Sequence, residues 1–168
     1  RTEDGFRKAI EYFEGAIQQD PGYALAYVGL SDVFDLLGVF SMLPPKEAFE
    51  RAKAAANQAL AIDPDLAEAH TSLAYGRFQY EWDWAGAEEE FRLGLRLNPN
   101  YVPGHYWFAR YLAAMRRFEE AFDHMEQARA LDPLSLVVNT YHAWICYFSR
   151  DYDQAIERFR KALELDPG

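Results

Sequence analysis

Cysteine is almost missing from these 168 residues, with Cys146 standing alone. A single thiol excludes an internal disulfide framework and fits a reducing compartment; the cytoplasm is favoured, although a periplasmic protein can also lack disulfides. Long apolar runs are missing too. The longest uncharged stretch is the 17 residues from Pro133 to Ser149, which opens on proline and carries Asn139 and His142. A buried helix explains it better than a membrane span. Basic residues are outnumbered, 17 Lys and Arg against 27 Asp and Glu, for a net charge of -10. That balance excludes nucleic acid and anionic membrane as expected partners. There is no Gly-rich phosphate loop, no H-E-x-x-H, no paired cysteine and no G-x-S-x-G, so nothing points to an enzyme, a metal or a cofactor.

What the chain does have is punctuation. Asp20-Pro21, Asp63-Pro64, Asn98-Pro99, Asp132-Pro133 and Asp166-Pro167 recur, the last three intervals being 35, 34 and 34 residues. A period of that length marks a helical repeat array, which has no single catalytic core. Twelve residues before each proline stand Ala9, Ala52, Ala87, Ala121 and Ala155; five before stand Ala16, Ala59, Gly94, Ala128 and Ala162. Between them lie Phe13, Ala56, Phe91, Met125 and Phe159. Small residues seven apart let a helix approach its partner closely, while the large residue fills the space between neighbours.

The partner helix begins just after each proline. Tyr27, Leu30, Ser31 and Phe34 follow the order W-x2-L-G-x2-Y in kind, and the same slots hold His70, Leu73, Ala74 and Arg77, then His105, Phe108, Ala109 and Leu112, then Asn139, His142, Ala143 and Cys146. Together the two half-patterns resemble the tetratricopeptide repeat over essentially the whole chain. The resemblance implies an all-α, right-handed solenoid of antiparallel helix pairs.

The spacing predicts helices at 2–18, 23–38, 45–61, 66–80, 83–96, 101–115, 118–130, 134–149 and 152–165. One array results: the second helix of a truncated repeat (1–21), then repeats at 22–64, 65–99, 100–133 and 134–168. The interval from Pro21 to Pro64 is nine residues over period, a surplus placed at 37–45, where Pro44-Pro45 suits a helix start. Val39, Phe40, Met42 and Leu43 in that insertion either fold back over the neighbouring pair or form a docking ridge. At the extra position of the 35-residue repeat, Trp84 takes the slot of Phe6, Phe49, Phe118 and Tyr152 and is expected in the core; Trp82 can go either way. The start at Arg1 and the stop at Pro167-Gly168, where another repeat would begin, suggest a fragment of a longer protein with uncapped ends open to self-association.

In tetratricopeptide proteins the first helix of each pair lines a concave face. By that resemblance the lining slots are Val28, Asp32 and Asp35; Thr71, Tyr75 and Phe78; Tyr106, Arg110 and Ala113; and Thr140, Trp144 and Tyr147, with Trp107, Tyr141 and Phe148 alongside. The three slots of a helix fall at i, i+4 and i+7, and a merely solvated stripe would be polar. This one carries five aromatics. The rings either pack against the adjacent inner helix or form a groove for a peptide, oriented by Arg110 and Asp32. Chaperone-binding relatives grip a terminal carboxylate with Lys and Asn at such slots; here Val28, Asp32, Thr71, Tyr75, Tyr106 and Arg110 stand there, and only Arg110 could do so.

The acidic runs, such as Glu88-Glu89-Glu90, fall on second helices and read as a solvated outer face. His70 and His105 share a slot about 10 Å apart in successive repeats, too far for one metal, while His142 and Cys146 at i, i+4 read as core. A more distant resemblance, carried by Leu43-Pro44-Pro45-Lys46-Glu47-Ala48, Ala67-Glu68-Ala69-His70 and Tyr80-Glu81-Trp82-Asp83-Trp84, is to the repeat tails of bacterial signalling proteins. It implies a regulatory appendage. The expected function is therefore protein or peptide binding along the aromatic stripe, with self-assembly through the ends as the alternative.

Overall fold

A residue that precedes proline is driven out of the α region, and each Asp/Asn-Pro pair uses this to stop a helix. Asp20, Asp63 and Asn98 are extended (φ near -135°) while their N–H groups still donate to Ala16, Ala59 and Gly94 four residues back. Asp132 does the same to Ala128. Asp20 and Asp63 also accept, through Oδ1, the N–H of the residue two ahead, at 2.9 and 3.1 Å, which tightens the turn into the next helix.

The computed structural model describes residues 2–165. The fifth dipeptide, Asp166-Pro167, and both chain ends lie outside the described residues. Among those described there are nine α-helices and no strand. They are α1 (Glu3–Gln19), α2 (Ala24–Val39), α3 (Pro45–Ile62), α4 (Ala67–Gly76), α5 (Trp84–Leu97), α6 (Val102–Ala114), α7 (Phe118–Leu131), α8 (Leu136–Phe148) and α9 (Tyr152–Leu165), with a π turn, Arg77–Glu81, continuing α4. Every end lies within two residues of its expected place when the π turn is counted with α4. No helix among the described residues is long and apolar enough to cross a membrane.

The chain divides after Pro99 into two compact units. In the first, each helix packs on the next, and the inner helices α2 and α4 also touch. Its core joins Leu30, Val33, Phe34 and Leu37 of α2 to Ala52 and Ala55 of α3, with Phe6, Ile10 and Phe13 of α1 closing the other side. In the second, α6 to α9 pack in succession, and α6 touches α8. Phe108, Leu112, Met125, Val138, Ile145 and Cys146 are buried there. The small slots are where backbones come closest. A Cβ on Gly94 would stand 2.9 Å from the Ala67 carbonyl oxygen and 2.8 Å from Thr71 Oγ1, and one on Gly29 would enter the Phe13 ring.

Both departures from the 34-residue period have a structural address. In the first full repeat α2 has 16 residues against 13 in α6 and α8. Its partner α3 has 18 against 14 in α7 and α9. The connection 40–44 is two residues longer than 115–117 and 149–151, so the nine extra residues lengthen the hairpin by about a turn on each side rather than forming a loop. Leu43 folds onto the α1–α3 core, whereas Phe40 and Met42 are exposed, Phe40 with its ring centroid 6.5 Å from that of Phe6. In the 35-residue repeat the extra residue is absorbed by the π turn, which holds more residues per turn than an α-helix.

Trp84 departs from expectation. It is exposed and lies against the exposed Trp82 at 6.2 Å, as Tyr152 in the same slot is exposed, whereas Phe49 in that slot is buried and stacks on Tyr80 at 4.9 Å.

Three hairpins turn alike. Ser41, Arg116 and Arg150 have φ of 55°, 62° and 69°. Their N–H groups donate to Gly38, Ala113 and Tyr147, and the following residues donate to Leu37, Leu112 and Cys146. This is the Schellman closure of a helix, here without the usual glycine.

Candidate functional site

The inner-helix slots split by depth. Val28, Asp35, Thr71, Tyr75 and Trp107 are buried, so they hold the fold together rather than offering surface. For Tyr75, of the stripe, and Trp107, beside it, burial favours the packing alternative over the groove, since one face of an inner helix meets a neighbouring helix as readily as solvent. Thr71 donates its hydroxyl to the Ala67 carbonyl at 2.9 Å, turning its polar end back onto its own helix. Asp32, Phe78, Tyr106, Arg110, Thr140 and Tyr141 are half-buried.

In the second unit Tyr106 of α6 stacks on Tyr141 of α8, with centroids 5.3 Å apart and planes 13° off parallel. Further along α8, Trp144, Tyr147 and Phe148 are exposed, as is Tyr152 at the start of α9. Trp144 stands edge-on to Phe159 of α9 at 5.6 Å and stacks on Phe148 at 5.7 Å. Tyr147 touches both Phe148 and Tyr152 at 5.7 Å. The result is a continuous aromatic surface fixed from beneath by α9. Aromatic surface held rigid and half-open is what binding anchors are made of. Tyr152, the member on α9, was legible only as a repeat-slot residue, because the stripe argument looks along one helix.

The first unit contributes polar groups instead. Asp32 of α2 accepts a hydrogen bond from Ser72 of α4 at 2.6 Å. Removal from water pushes its carboxyl up to about 7, against the lowering effect of that bond. Asp35, one turn on, is buried, and neither of its oxygens has a hydrogen-bond partner. Burial, then the charge of Asp32, holds its carboxyl well above the ordinary range. The unpartnered state of Asp35 left no trace in the sequence, where it is one more acid in an inner slot.

The histidines are occupied separately. His70 contacts Glu90 at 2.6 Å and the Pro64 carbonyl at 3.0 Å, and His105 faces His124, Nδ1 to Nδ1, at 3.0 Å. His142 is buried and its imidazole is lowered to about 4, first by burial and then by Arg158. Burial pushes the Cys146 thiol up. Among the described residues no group of three His, Cys, Asp or Glu side chains could hold a metal ion.

The family model described as tetratricopeptide repeat matches residues 142–168. No curated protein matches the sequence. Among solved structures, the chain is similar to TTC0263, a thermophilic TPR protein of Thermus thermophilus, at 20% identity and a TM-score of 0.78, covering 96% of this chain and 84% of that one. It is similar to YrrB, described as a TPR protein with an unusual peptide-binding site, at 20% identity and a TM-score of 0.61, covering 98% and 79%. To PilF of Pseudomonas aeruginosa it shows 28% identity and a TM-score of 0.64, covering 82% and 62%. The shared feature is the all-helical repeat solenoid.

Proposed function

We propose that this chain, a tetratricopeptide-repeat protein by its fold, is a protein-interaction module that docks a peptide or protein segment on the aromatic surface of its second unit. The observation that carries the reading is the exposed contact cluster of Trp144, Tyr147, Phe148 and Tyr152 on α8 and α9. Its rings are already held by Phe159 and by one another, so little receptor ordering opposes binding. The stacked pair Tyr106 and Tyr141 adds to that surface, and Arg110 and Thr140 are half-buried on the same two helices. The likeness to repeat tails of bacterial signalling proteins supports a regulatory or scaffolding role within a larger protein.

The test is to select binders from a random peptide library displayed on phage and to measure them against variants. Trp144→Ala and Phe148→Ala should each weaken selected peptides by roughly tenfold or more, near 2 kcal/mol for an anchor residue. Tyr12→Ala, on the exposed side of α1, should change nothing. Equal binding by all three would remove the aromatic surface from the reading.

Self-assembly is a second reading with its own observation. Ile156 and Leu163 are exposed on one face of α9. One repeat earlier the corresponding face of α7 is covered by α8 through Phe122 against His142. A second copy could cover α9 likewise. Sedimentation of the chain and of an Ile156→Asp/Leu163→Asp variant decides it: association lost in the variant favours assembly, and a monomer in both dismisses it.

A further inference from the structure

A cleft in the first unit, apart from the aromatic surface, is lined by Asp35 of α2, Phe49 and Lys53 of α3, Ser72 and Gly76 of α4, and the π turn. Its interior has room for about one water-sized group, some 10 Å3, and the rest of the cleft is open to solvent. At its floor Asp35 presents two carboxylate oxygens that no hydrogen bond satisfies. A buried polar group in that condition costs free energy on the order of 1–3 kcal/mol, more if charged, so the arrangement stores an affinity for whatever supplies the missing partner.

The surroundings say what that partner is. Carboxylate oxygens accept hydrogen bonds and favour positive charge. Asp32 adds acidity beside them, and Glu81 adds it at the mouth. The two cations of the lining are already engaged: Lys53 pairs with Glu81 at 2.5 Å, and Arg77 with Glu90 at 3.4 Å and Asp83 at 3.7 Å. A metal ion would need more ligands than are gathered here, since no group of three suitable side chains exists among the described residues. A planar guanidinium needs a wide fork-shaped seat, whereas an ammonium is a compact charge on a narrow stem. Gly76 is what leaves room for it: a Cβ there would stand 3.5 Å from Asp35 Oδ1, close to where a donor nitrogen would sit.

We propose that this cleft is a binding site for a primary ammonium group, such as the lysine side chain of a polypeptide partner, seated on Asp35 with Asp32 beside it. Entry displaces the Lys53–Glu81 pair at the mouth. The π turn provides the wall, its wider backbone spacing setting Arg77 and Glu81 on the cleft. The site is independent of the aromatic surface, and a small probe tests it alone.

The experiment is a titration of the whole 15N-labelled chain with n-butylammonium chloride, with n-butanol and n-butylguanidinium chloride in parallel. Butylammonium should shift the Ser72, Gly76 and Arg77 amides saturably at millimolar concentration, with butanol at least tenfold weaker. Seating the cation requires Asp35 charged, so affinity should rise with pH, by up to tenfold per unit while the carboxyl is still protonated. Asp35→Asn should cost at least tenfold and flatten that slope to the part that the neighbouring Asp32 supplies. Gly76→Ala, in ordinary helical backbone with space for a methyl group, should fold and also weaken binding. The absence of saturable shifts, equal binding of butanol, tighter binding of the guanidinium, or unchanged binding in both variants would each overturn the proposal.

Discussion

At the scale of single residues, depth decides more than chemistry does. Gly94 occupies a slot that holds alanine in the other repeats, and its hydrogen lies against the Ala67 carbonyl. Gly94→Ala should therefore destabilise the chain by about 1–3 kcal/mol, although alanine is the better helix former, because the α4–α5 crossing must open. Urea denaturation would show it as a lower midpoint at unchanged slope. Ser41 has φ of 55° at a helix end that glycine would close without strain. Ser41→Gly should stabilise by about 1 kcal/mol, read in the same assay.

The buried acids make stability depend on pH in a definite direction. Asp32 and Asp35 are raised in the folded chain, so folding binds protons. Their contribution is complete below about 4 and is lost as pH climbs toward 7 for Asp32, and beyond it for Asp35. His142, lowered to about 4, works the other way: its contribution is present above its ordinary value near 6.5 and is lost as pH falls toward 4. Denaturation across pH 5 to 9 should show Asp35→Asn more stable than the parent at the alkaline end, by about 1–3 kcal/mol, with the gap closing toward pH 5. A parallel offset at every pH would mean that Asp35 does not titrate with folding.

At the scale of elements, the helix ends were legible because their cause is local. Proline forbids the preceding residue the α region, and Asp or Asn ties the turn. The start of α5 is equally local: Asp83 accepts the Gly86 N–H at 3.0 Å, and Arg77 stands 3.7 Å away. Asp83→Ala should cost about 1 kcal/mol, with hydrogen exchange accelerated first in the opening turn of α5. What stayed hidden was how surplus length is spent. The nine residues over period between Pro21 and Pro64 are placed by the sequence at 37–45, and although the ends of α2 and α3 are met within a residue, it is the comparison with α6 to α9 that shows most of the surplus as helix, a longer hairpin that satisfies its own backbone and partly buries Leu43. The extra residue of the 35-residue repeat, placed by the sequence at Glu81–Trp84, is taken up by the π turn, within which Tyr80 stacks on Phe49, a contact between residues distant in sequence.

At the scale of the whole molecule, the repeat pattern specified the fold through residues that recur, such as Ala121 and Ala155 or Ala128 and Ala162, all buried. The surface was less legible, because Tyr75 and Trp144 occupy equivalent slots and only one of them is exposed. The four tryptophans provide a direct check. Trp82, Trp84 and Trp144 are exposed and Trp107 is buried. A variant retaining only Trp107 should emit to the blue and resist acrylamide, whereas one retaining only Trp144 should be quenched freely and lose that quenching when a selected peptide is bound.

The Schellman turns carry a further meaning in terms of charge. At the left-handed position ending α6 and α8 stand Arg116 and Arg150, in a chain whose net charge is -10. The carbonyl end of a helix carries roughly half a negative charge, and a cation seated there interacts favourably by about 0.3–1 kcal/mol at low ionic strength. Side chains that strain the backbone at these two turns thus return part of that strain as electrostatic attraction, and added salt, by screening it, should loosen the ends of α6 and α8 before it touches the uncharged turn at Ser41.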